Sequence, residues 1–216
     1  MNIDQARFNM VEQQIRTWEV LDQEVLDLLY EIRREEFLPP ASKSLAFVDM
    51  EIPLGYGEVM LAPKLEARML QELAVRLTDR VLEIGSGSGY MTALLAKRAS
   101  FVDSVEIVPE LNAFAAKNLT AHGIENVKLH LGDGAQGWPG SAYDVIVLTG
   151  STPVLAPTFL SQLNGGGRLL AVIGDAPVMK ATLFTAAGKG EVASIELFET
   201  SIAPLRNAPQ PQRFVF

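Results

Sequence analysis

Three glycines, Gly85, Gly87 and Gly89, form a G-x-G-x-G run whose spacing suits a ligand-binding turn. A mostly apolar segment, residues 81–84, precedes them, and residues 91–98, rich in Ala, Leu and Lys, follow. This order predicts a buried strand, a turn and a helix. Glycine lets the turn adopt positive φ and lets a ligand approach the backbone, while the helix N-terminus offers unpaired N–H groups. The pattern therefore predicts a nucleotide-binding corner.

Two carboxylates indicate which nucleotide-like ligand the corner would take. Glu83 lies two residues before the first glycine, where it would repel the pyrophosphate of a dinucleotide but attract the ammonium and sulfonium of S-adenosylmethionine. Glu106 ends a second predicted strand, residues 102–107, about 20 residues beyond Gly85, where a ribose-binding acid belongs. Together the two acids favour S-adenosylmethionine over NAD.

A third acid follows another predicted strand, residues 127–131. Asp133 lies between Gly132 and Gly134, at the carboxyl end of that strand, where open α/β sheets bind their ligands. Asp133 could accept a hydrogen bond from an adenine amino group, or it could simply form an Asp turn. Trp138, a few residues further on, could wall the same crevice or pack on the core.

Composition narrows the possible partners. The chain of 216 residues suits one α/β domain, and a mean hydropathy of +0.17 agrees with a well-filled core. Without cysteine there are no disulfides or thiolates, and His122 and His130 are too few for a multi-histidine site, so we expect no metal. A net charge of −8 disfavours nucleic acid. We expect no membrane span and no secretion signal at the N-terminus.

The elements that must position these acids alternate between strand and helix. They predict a doubly wound, mostly parallel Rossmann-like sheet in a single domain, residues 1–216. Residues 179–185 and 192–198 are predicted to close the sheet as an antiparallel hairpin. The other predicted elements are helices at 109–122 and 157–163, strands at 143–148 and 168–173, and a turn at 164–167.

Residues 1–50 are predicted to form a helical extension ahead of the core, residues 64–216. One helix covers residues 4–15 with Asp4 as its N-cap, and a second begins at Asp22. The extension serves either as a lid or substrate wall, or as plain packing. Between extension and core, residues 51–63 are predicted to form a loop that covers the site and leads into a helix at Pro63.

With these segments in view, the chain resembles class I S-adenosylmethionine-dependent methyltransferases, and more closely the protein-L-isoaspartate O-methyltransferase family. The resemblance covers most of the chain. It is carried by the motifs R-R-E-E-F-L-P-P, L-G-Y-G-E, V-L-E-I-G-S-G-S-G-Y, V-E-I-V-P-E-L, L-G-D-G-A-Q-G-W-P, Y-D-V-I-V-L-T-G-S-T-P and L-N-G-G-G-R-L.

The resemblance implies a cytoplasmic enzyme that methylates the free α-carboxylate of isoaspartyl residues in damaged proteins. Carried over by position, Glu106 would hold the ribose hydroxyls, and Asp133 with Gly134 would meet the adenine. The remaining cofactor-binding residues that it implies are Glu83, Gly85, Ser86, Gly87, Gly89, Tyr90, Ile107 and Gly132.

The loop before the glycine corner departs from the family pattern. Family members usually carry G-x-G-Q-T-I-S-x-P, whose hydroxyl residues help to hold the substrate carboxylate. Here Glu58 replaces glutamine, Val59 replaces threonine, and Leu61 occupies the active-site serine position. Tyr56, Glu58, Val59 and Leu61 are the predicted substrate-binding residues, and the catalytic residue stays unassigned.

Three functions therefore remain open. The chain could repair isoaspartyl proteins, with backbone N–H groups replacing the lost hydroxyls. It could methylate another acceptor, such as a neutral or cationic small molecule oriented by Glu58. It could also bind S-adenosylmethionine without catalysis, as a sensor. The sequence leaves the oligomeric state open.

Overall fold

A seven-stranded sheet with helices on both faces forms the body of the protein. The computed structural model describes residues 2–140, 142–188 and 191–211. Within these ranges, no helix is long and apolar enough to cross a membrane. The strands of the sheet are β3 (Arg80–Ile84), β4 (Phe101–Glu106), β5 (Val127–Leu131), β6 (Tyr143–Leu148), β7 (Leu163–Asp175), β8 (Val178–Gly188) and β9 (Glu191–Thr200).

The strand order is β5-β4-β3-β6-β7-β8-β9, and the first five strands are parallel. The chain runs outward from β3 to β5 and then returns to place β6 on the other side of β3. This reversal makes the carboxyl ends of β3 and β6 a topological switch point, where open α/β sheets form ligand crevices. β8 and β9 add antiparallel strands at the far edge. The predicted fold class is confirmed, while the turn of the hairpin, residues 189–190, lies outside the described residues.

The helices cover the sheet because both faces of its central strands are apolar. Val81 and Val145 belong to a core on one face, and Leu82 and Ile146 belong to a core on the other. The helices are α1 (Ile3–Met10), α2 (Gln23–Glu31), α3 (Pro63–Leu73), α4 (Tyr90–Arg98), α5 (Pro109–Ala121) and α6 (Pro157–Ser161).

The N-terminal extension is helical, as predicted, but its first cap differs. α1 is capped by Asn2, whose side chain accepts from the Gln5 amide, and not by Asp4. A π-helical turn, Val11–Ile15, continues it. Asn2 is the better cap because it has the extended backbone that an N-cap requires. Asp22 caps α2 as predicted, accepting from the Glu24 amide at 2.9 Å.

Two predicted irregular segments are instead part of strands. Residues 51–63 contain a small antiparallel hairpin, β1 (Ile52–Gly55) and β2 (Glu58–Met60), before α3 begins at Pro63. The predicted turn at 164–167 is a bulge inside β7, because the partner of Tyr143 is Leu163 while the partner of Val145 is Arg168. The pairing therefore advances five residues along β7 but only two along β6. The extra residues of β7, which include the glycines, bulge out without ending the strand.

Candidate functional site

The main cavity lies at the switch point, beyond the carboxyl ends of β3, β4 and β6. Together with its open mouth, the cavity encloses about 680 Å³ of empty space. Two segments complete its walls: the β1–β2 hairpin and a tail segment that we term the strap, residues 203–207. The predicted site residues that line the cavity are Glu58, Val59, Leu61, Gly85, Gly87, Glu106, Ile107, Gly132, Asp133 and Gly134.

The glycine corner adopts the backbone that its sequence predicts. Gly85, Gly87 and Gly89 have φ of +100°, +52° and +82°, values that residues with a Cβ rarely adopt. A Cβ on Gly85 would lie 2.2 Å from Oγ1 of Thr149, and a Cβ on Gly89 would lie 3.2 Å from Ala115 on α5. The corner therefore needs glycine both for its backbone conformation and for the close approach of neighbouring elements.

Glu106 joins the glycine corner to the end of β4. Its Oε2 accepts from the Gly87 amide at 2.8 Å, and its Oε1 accepts from the Val108 amide at 3.0 Å. These bonds fix the orientation of a carboxylate that is 5% exposed and lines the cavity. Each oxygen keeps further acceptor capacity, so Glu106 can accept hydrogen bonds from a pair of hydroxyls.

Asp133 forms the Asp turn that was one of its two interpretations; it also lines the cavity, and its contact with adenine stays a prediction. Its Oδ1 accepts from the Ala135 amide at 3.0 Å, and its Oδ2 accepts from the Asn207 side chain on the strap at 2.9 Å. Trp138 does not line the cavity. It packs on the ring of His130, with 5.2 Å between centroids, and on the core.

Glu83 does not line the cavity. Its side chain is fully buried, with Oε2 accepting from the hydroxyl groups of Thr92 at 2.5 Å and Ser104 at 2.6 Å. Burial raises the pKa of Glu83 to about 8, so the carboxyl is largely protonated at neutral pH. In this state the carboxyl carries little of the negative charge that would attract an ammonium or sulfonium, and a contact of Glu83 with the cofactor stays a prediction.

Three other predicted cofactor residues also lie outside the main cavity. Tyr90 is buried between Phe37, at a ring-centroid distance of 5.4 Å, and the Arg34 guanidinium, 5.3 Å from its ring. Ser86 shares a hydrogen bond with Ser104 at 2.6 Å and lines a smaller neighbouring cavity. Gly89 caps α4 and packs on α5. These residues pack around the glycine corner without lining the main cavity.

The β1–β2 hairpin presents the predicted substrate residues in different ways. Val59 and Leu61 line both the main cavity and its smaller neighbour, so their side chains make this wall apolar. Tyr56 is at the tip of the hairpin, exposed and with φ of +58°, and it does not line either cavity. Glu58 lines the main cavity and pairs with Arg206 at 2.6 Å.

A buried ion pair supports the hairpin from below. Arg34, in the N-terminal extension, pairs with Glu66 on α3 and donates to the backbone carbonyls of Leu61 and Ala46. Desolvation raises the pKa of Glu66 to about 7, although Arg34 favours the ionised form. The extension thus has a packing role against the loop, and its lid role stays a prediction.

The strap is the part of the site that the sequence did not indicate. Leu205 and Arg206 line the cavity and Asn207 binds Asp133, yet no sequence motif singles these residues out. Thr149, after β6, also lines the cavity and was not singled out. The sequence contains a partial signal for Thr149, because this residue follows the carboxyl end of a predicted parallel strand, and open α/β sheets bind ligands at these ends.

Comparison with known proteins identifies the family. The family model described as protein-L-isoaspartate(D-aspartate) O-methyltransferase matches residues 5–208. The chain belongs to this family. A protein-L-isoaspartate O-methyltransferase of Methanoculleus marisnigri is 41% identical over 169 residues, 78% of this chain and 77% of that protein. A protein-L-isoaspartate O-methyltransferase 1 of Anaeromyxobacter sp. is 39% identical over 193 residues, 88% of this chain and 89% of that protein.

Solved structures agree with this assignment. A protein-L-isoaspartate O-methyltransferase structure matches with a TM-score of 0.78 and 29% identity, covering 92% of this chain and 65% of that one. A Plasmodium falciparum member of the same family, in complex with S-adenosyl-L-homocysteine, matches with a TM-score of 0.79 over 91% of this chain and 96% of that one. At 20% identity, the second likeness shows the fold.

Proposed function

We propose that this chain is an S-adenosylmethionine-dependent O-methyltransferase that methylates the free α-carboxylate of isoaspartyl residues in proteins. One observation carries the proposal: the switch-point cavity brings the glycine corner, Glu106 and Asp133 together in a chain that matches the family over residues 5–208. Glu106 and Asp133 both line this cavity, where their carboxylates can accept hydrogen bonds from a nucleoside.

The residues around the cavity fit the cofactor. Glu106 would hold the ribose hydroxyls, because its carboxylate is fixed by two amides and still has acceptor capacity. Asp133, with Gly132 and Gly134, would meet the adenine, and Ile107 would pack on its ring. Gly85 and Gly87 would contact the amino-acid end. When bound, S-adenosylmethionine supplies an electrophilic methyl group on a positively charged sulfur.

Methyl transfer to a carboxylate needs few catalytic groups from the protein. A carboxylate is already ionised at neutral pH, so no general base is needed, and two histidines outside the cavity are no obstacle. The protein must align the carboxylate and exclude water. Val59 and Leu61 can exclude water but cannot donate hydrogen bonds through their side chains. The alignment must therefore come from other donors.

A second candidate function rests on the same two side chains. Because Val59 and Leu61 replace hydroxyl residues on the cavity wall and Glu58 adds a carboxylate, we consider a family relative that methylates a different, neutral or cationic small molecule. A protein that binds the cofactor without catalysis is the third candidate. The cytoplasmic location that the resemblance implies stays a prediction, as does the division into extension, loop and core.

Tritiated methyl transfer from S-adenosylmethionine separates these candidates. The substrates are an isoaspartyl peptide and its normal aspartyl twin, and the proteins are the wild type and the Val59→Thr/Leu61→Ser variant. We expect the wild type to form base-labile methyl ester on the isoaspartyl peptide alone. A silent wild type that binds the cofactor, with activity appearing in the double variant, would support a changed acceptor. Cofactor binding without transfer to any acceptor would support the sensor.

A further inference from the structure

Arg206 is the single cationic side chain among the described residues that line the main cavity, which also holds the acids Glu58, Glu106 and Asp133. A carboxylate acceptor entering such a cavity meets three like charges and one opposite charge. Like charges at short range oppose binding, so a carboxylate needs either a cationic partner or several N–H donors. This charge arrangement singles out Arg206 as the group suited to meet the acceptor.

The backbone that carries Arg206 is firmly anchored. The Ser151 amide donates to Ala203 at 2.9 Å, and the Leu205 amide donates back to Ser151 at 2.8 Å. Leu205 packs closely on Gly150, where a Cβ would approach it to 2.8 Å. Asn207, the next residue along, binds Asp133. The start of the Arg206 side chain is therefore fixed next to the cavity before any ligand arrives.

The guanidinium itself is only partly used. Nε donates to Oε1 of Glu58 at 2.6 Å, and Nη2 donates to the backbone carbonyl of Tyr56. Nη1 has no hydrogen-bond or ion-pair partner within the described part of the chain. The Arg206 and Glu58 side chains are 44% and 29% exposed, so the pair is accessible to water. Pairs of this kind contribute only about 0–1 kcal/mol and open readily.

We infer that Arg206 receives the free carboxylate of the acceptor and thereby replaces the hydroxyl donors absent at Val59 and Leu61. This inference rests on the proposed isoaspartyl function. Glu58 holds the guanidinium against the hairpin until the acceptor arrives, and the acceptor's carboxylate binds Nη1 or displaces Glu58. One charge-assisted hydrogen bond to one carboxylate oxygen leaves the other oxygen free for methylation. Arg206 is thus a specificity-determining residue, and Glu58 occupies its guanidinium until the acceptor binds.

The test measures binding of labelled peptides to protein saturated with S-adenosylhomocysteine. One peptide carries an isoaspartyl residue, and its twin carries a carboxamide in place of the free carboxylate. The variants are Arg206→Gln, Arg206→Lys and Glu58→Gln. Arg16→Gln is the matched control, because Arg16 forms an ion pair of similar exposure, at 3.0 Å with Glu12, away from the cavity.

We expect Arg206→Gln to weaken binding of the isoaspartyl peptide about tenfold or more, the loss typical of a charge-assisted hydrogen bond. Binding of the carboxamide twin and of S-adenosylhomocysteine should change less than about twofold, because neither depends on a carboxylate at Nη1. Arg206→Lys should retain part of the affinity. Glu58→Gln should keep or improve it, because a competing carboxylate is removed.

Equal weakening of both peptides by Arg206→Gln, or no weakening of either, would overturn the inference. So would loss of isoaspartyl binding in Glu58→Gln with none in Arg206→Gln, since Glu58 would then be the recognition group. If the wild type methylates the isoaspartyl peptide, these results refute the role of Arg206 alone. A wild type that neither binds nor methylates that peptide refutes the inference together with the proposed function.

Discussion

Glu83 offers a test of how the core beneath the site is built. Its carboxyl is fully buried between β3 and α4, one oxygen accepts from Thr92 and Ser104, and the other has no partner among the described residues. Desolvation is the largest cause that raises its pKa, to about 8 from 4.5, and Glu106 and Glu66 raise it further. We therefore expect Glu83 to make the protein less stable as the pH rises.

The sign and size follow from proton linkage. Between pH 4.5 and about 8, folded Glu83 keeps its proton, while the unfolded chain has lost it. The folded state then binds more protons, so the free energy of unfolding falls with increasing pH by about 1.4 kcal/mol per unit. From pH 5 to pH 7 the loss due to Glu83 amounts to about 3 kcal/mol. Glu66, whose pKa is raised to about 7, acts in the same direction.

The assay is urea unfolding of the wild type and of Glu83→Gln at pH 5, 6, 7 and 8. Glutamine keeps the shape of the side chain and an acceptor for the two hydroxyls, but it does not titrate. Because Glu66 is present in both proteins, the difference between their free energies of unfolding isolates Glu83. We expect the variant to gain about 3 kcal/mol relative to the wild type between pH 5 and pH 7.

A difference that stays constant with pH would refute the reasoning, whatever its size, because a fixed offset reports altered hydrogen bonds and not titration. The affinity for S-adenosylhomocysteine gives a second reading. With the carboxyl enclosed behind β3, Glu83→Gln should leave that affinity within about threefold at pH 7. A much larger loss would restore the sequence-based interpretation of Glu83 as a partner of the cationic end of the cofactor.

Three further predictions follow from buried or strained groups. Arg34→Met should lower the free energy of unfolding by about 3–5 kcal/mol, because it leaves Glu66 buried without its partner. In urea unfolding, the double variant Arg34→Met/Glu66→Met should recover much of that loss. Equal losses in the single and double variants would contradict this account. Gly89→Ala should lower the free energy of unfolding by about 1–3 kcal/mol in the same assay, because φ at Gly89 is +82° and Ala115 is close. The control variant Gly165→Ala should change it little, because the space around Gly165 is open. Glu106→Gln should weaken the binding of S-adenosylhomocysteine, measured by calorimetry, about tenfold. The control variant is Glu110→Gln, because Glu110 is exposed. Similar affinities in the two variants would refute a contact between Glu106 and the ribose.

The regular core of the fold could be predicted because its signals are local. The predicted strands at 127–131 and 143–148 match β5 and β6 residue for residue, since the first alternates between apolar and polar residues and the second is a mostly apolar run. The β1–β2 hairpin was missed for the opposite reason. Its strands are only four and three residues long, and two glycines and a proline lie among them. Such short pairs are stabilised by their surroundings and not by intrinsic preference.

The candidate site was predictable only as far as the strand ends. Glu83 and Glu106 both occupy carboxyl ends of parallel strands, yet one is enclosed beneath α4 and the other lines the cavity. In a half-exposed sheet, alternation of polar and apolar residues would tell the two faces apart. Here both faces are covered by helices, so β3 and β4 place apolar residues on both sides of the sheet and the pattern does not indicate which way an acid points.

The strap shows the same limit at longer range. Arg206 meets Glu58 across 148 positions of sequence, and Asn207 meets Asp133 across 74. No periodicity or local motif specifies contacts of this kind; they depend on the tail returning to the segment after β6, where it forms hydrogen bonds with Ser151. The sequence revealed that two hydroxyl donors were absent from the loop. Only the folded chain shows that Arg206, in the tail, lies next to the cavity wall that contains Val59 and Leu61. The loss of family residues at Val59 and Leu61 is therefore weak evidence for a lost activity, because the same recognition can be supplied by a side chain distant in sequence.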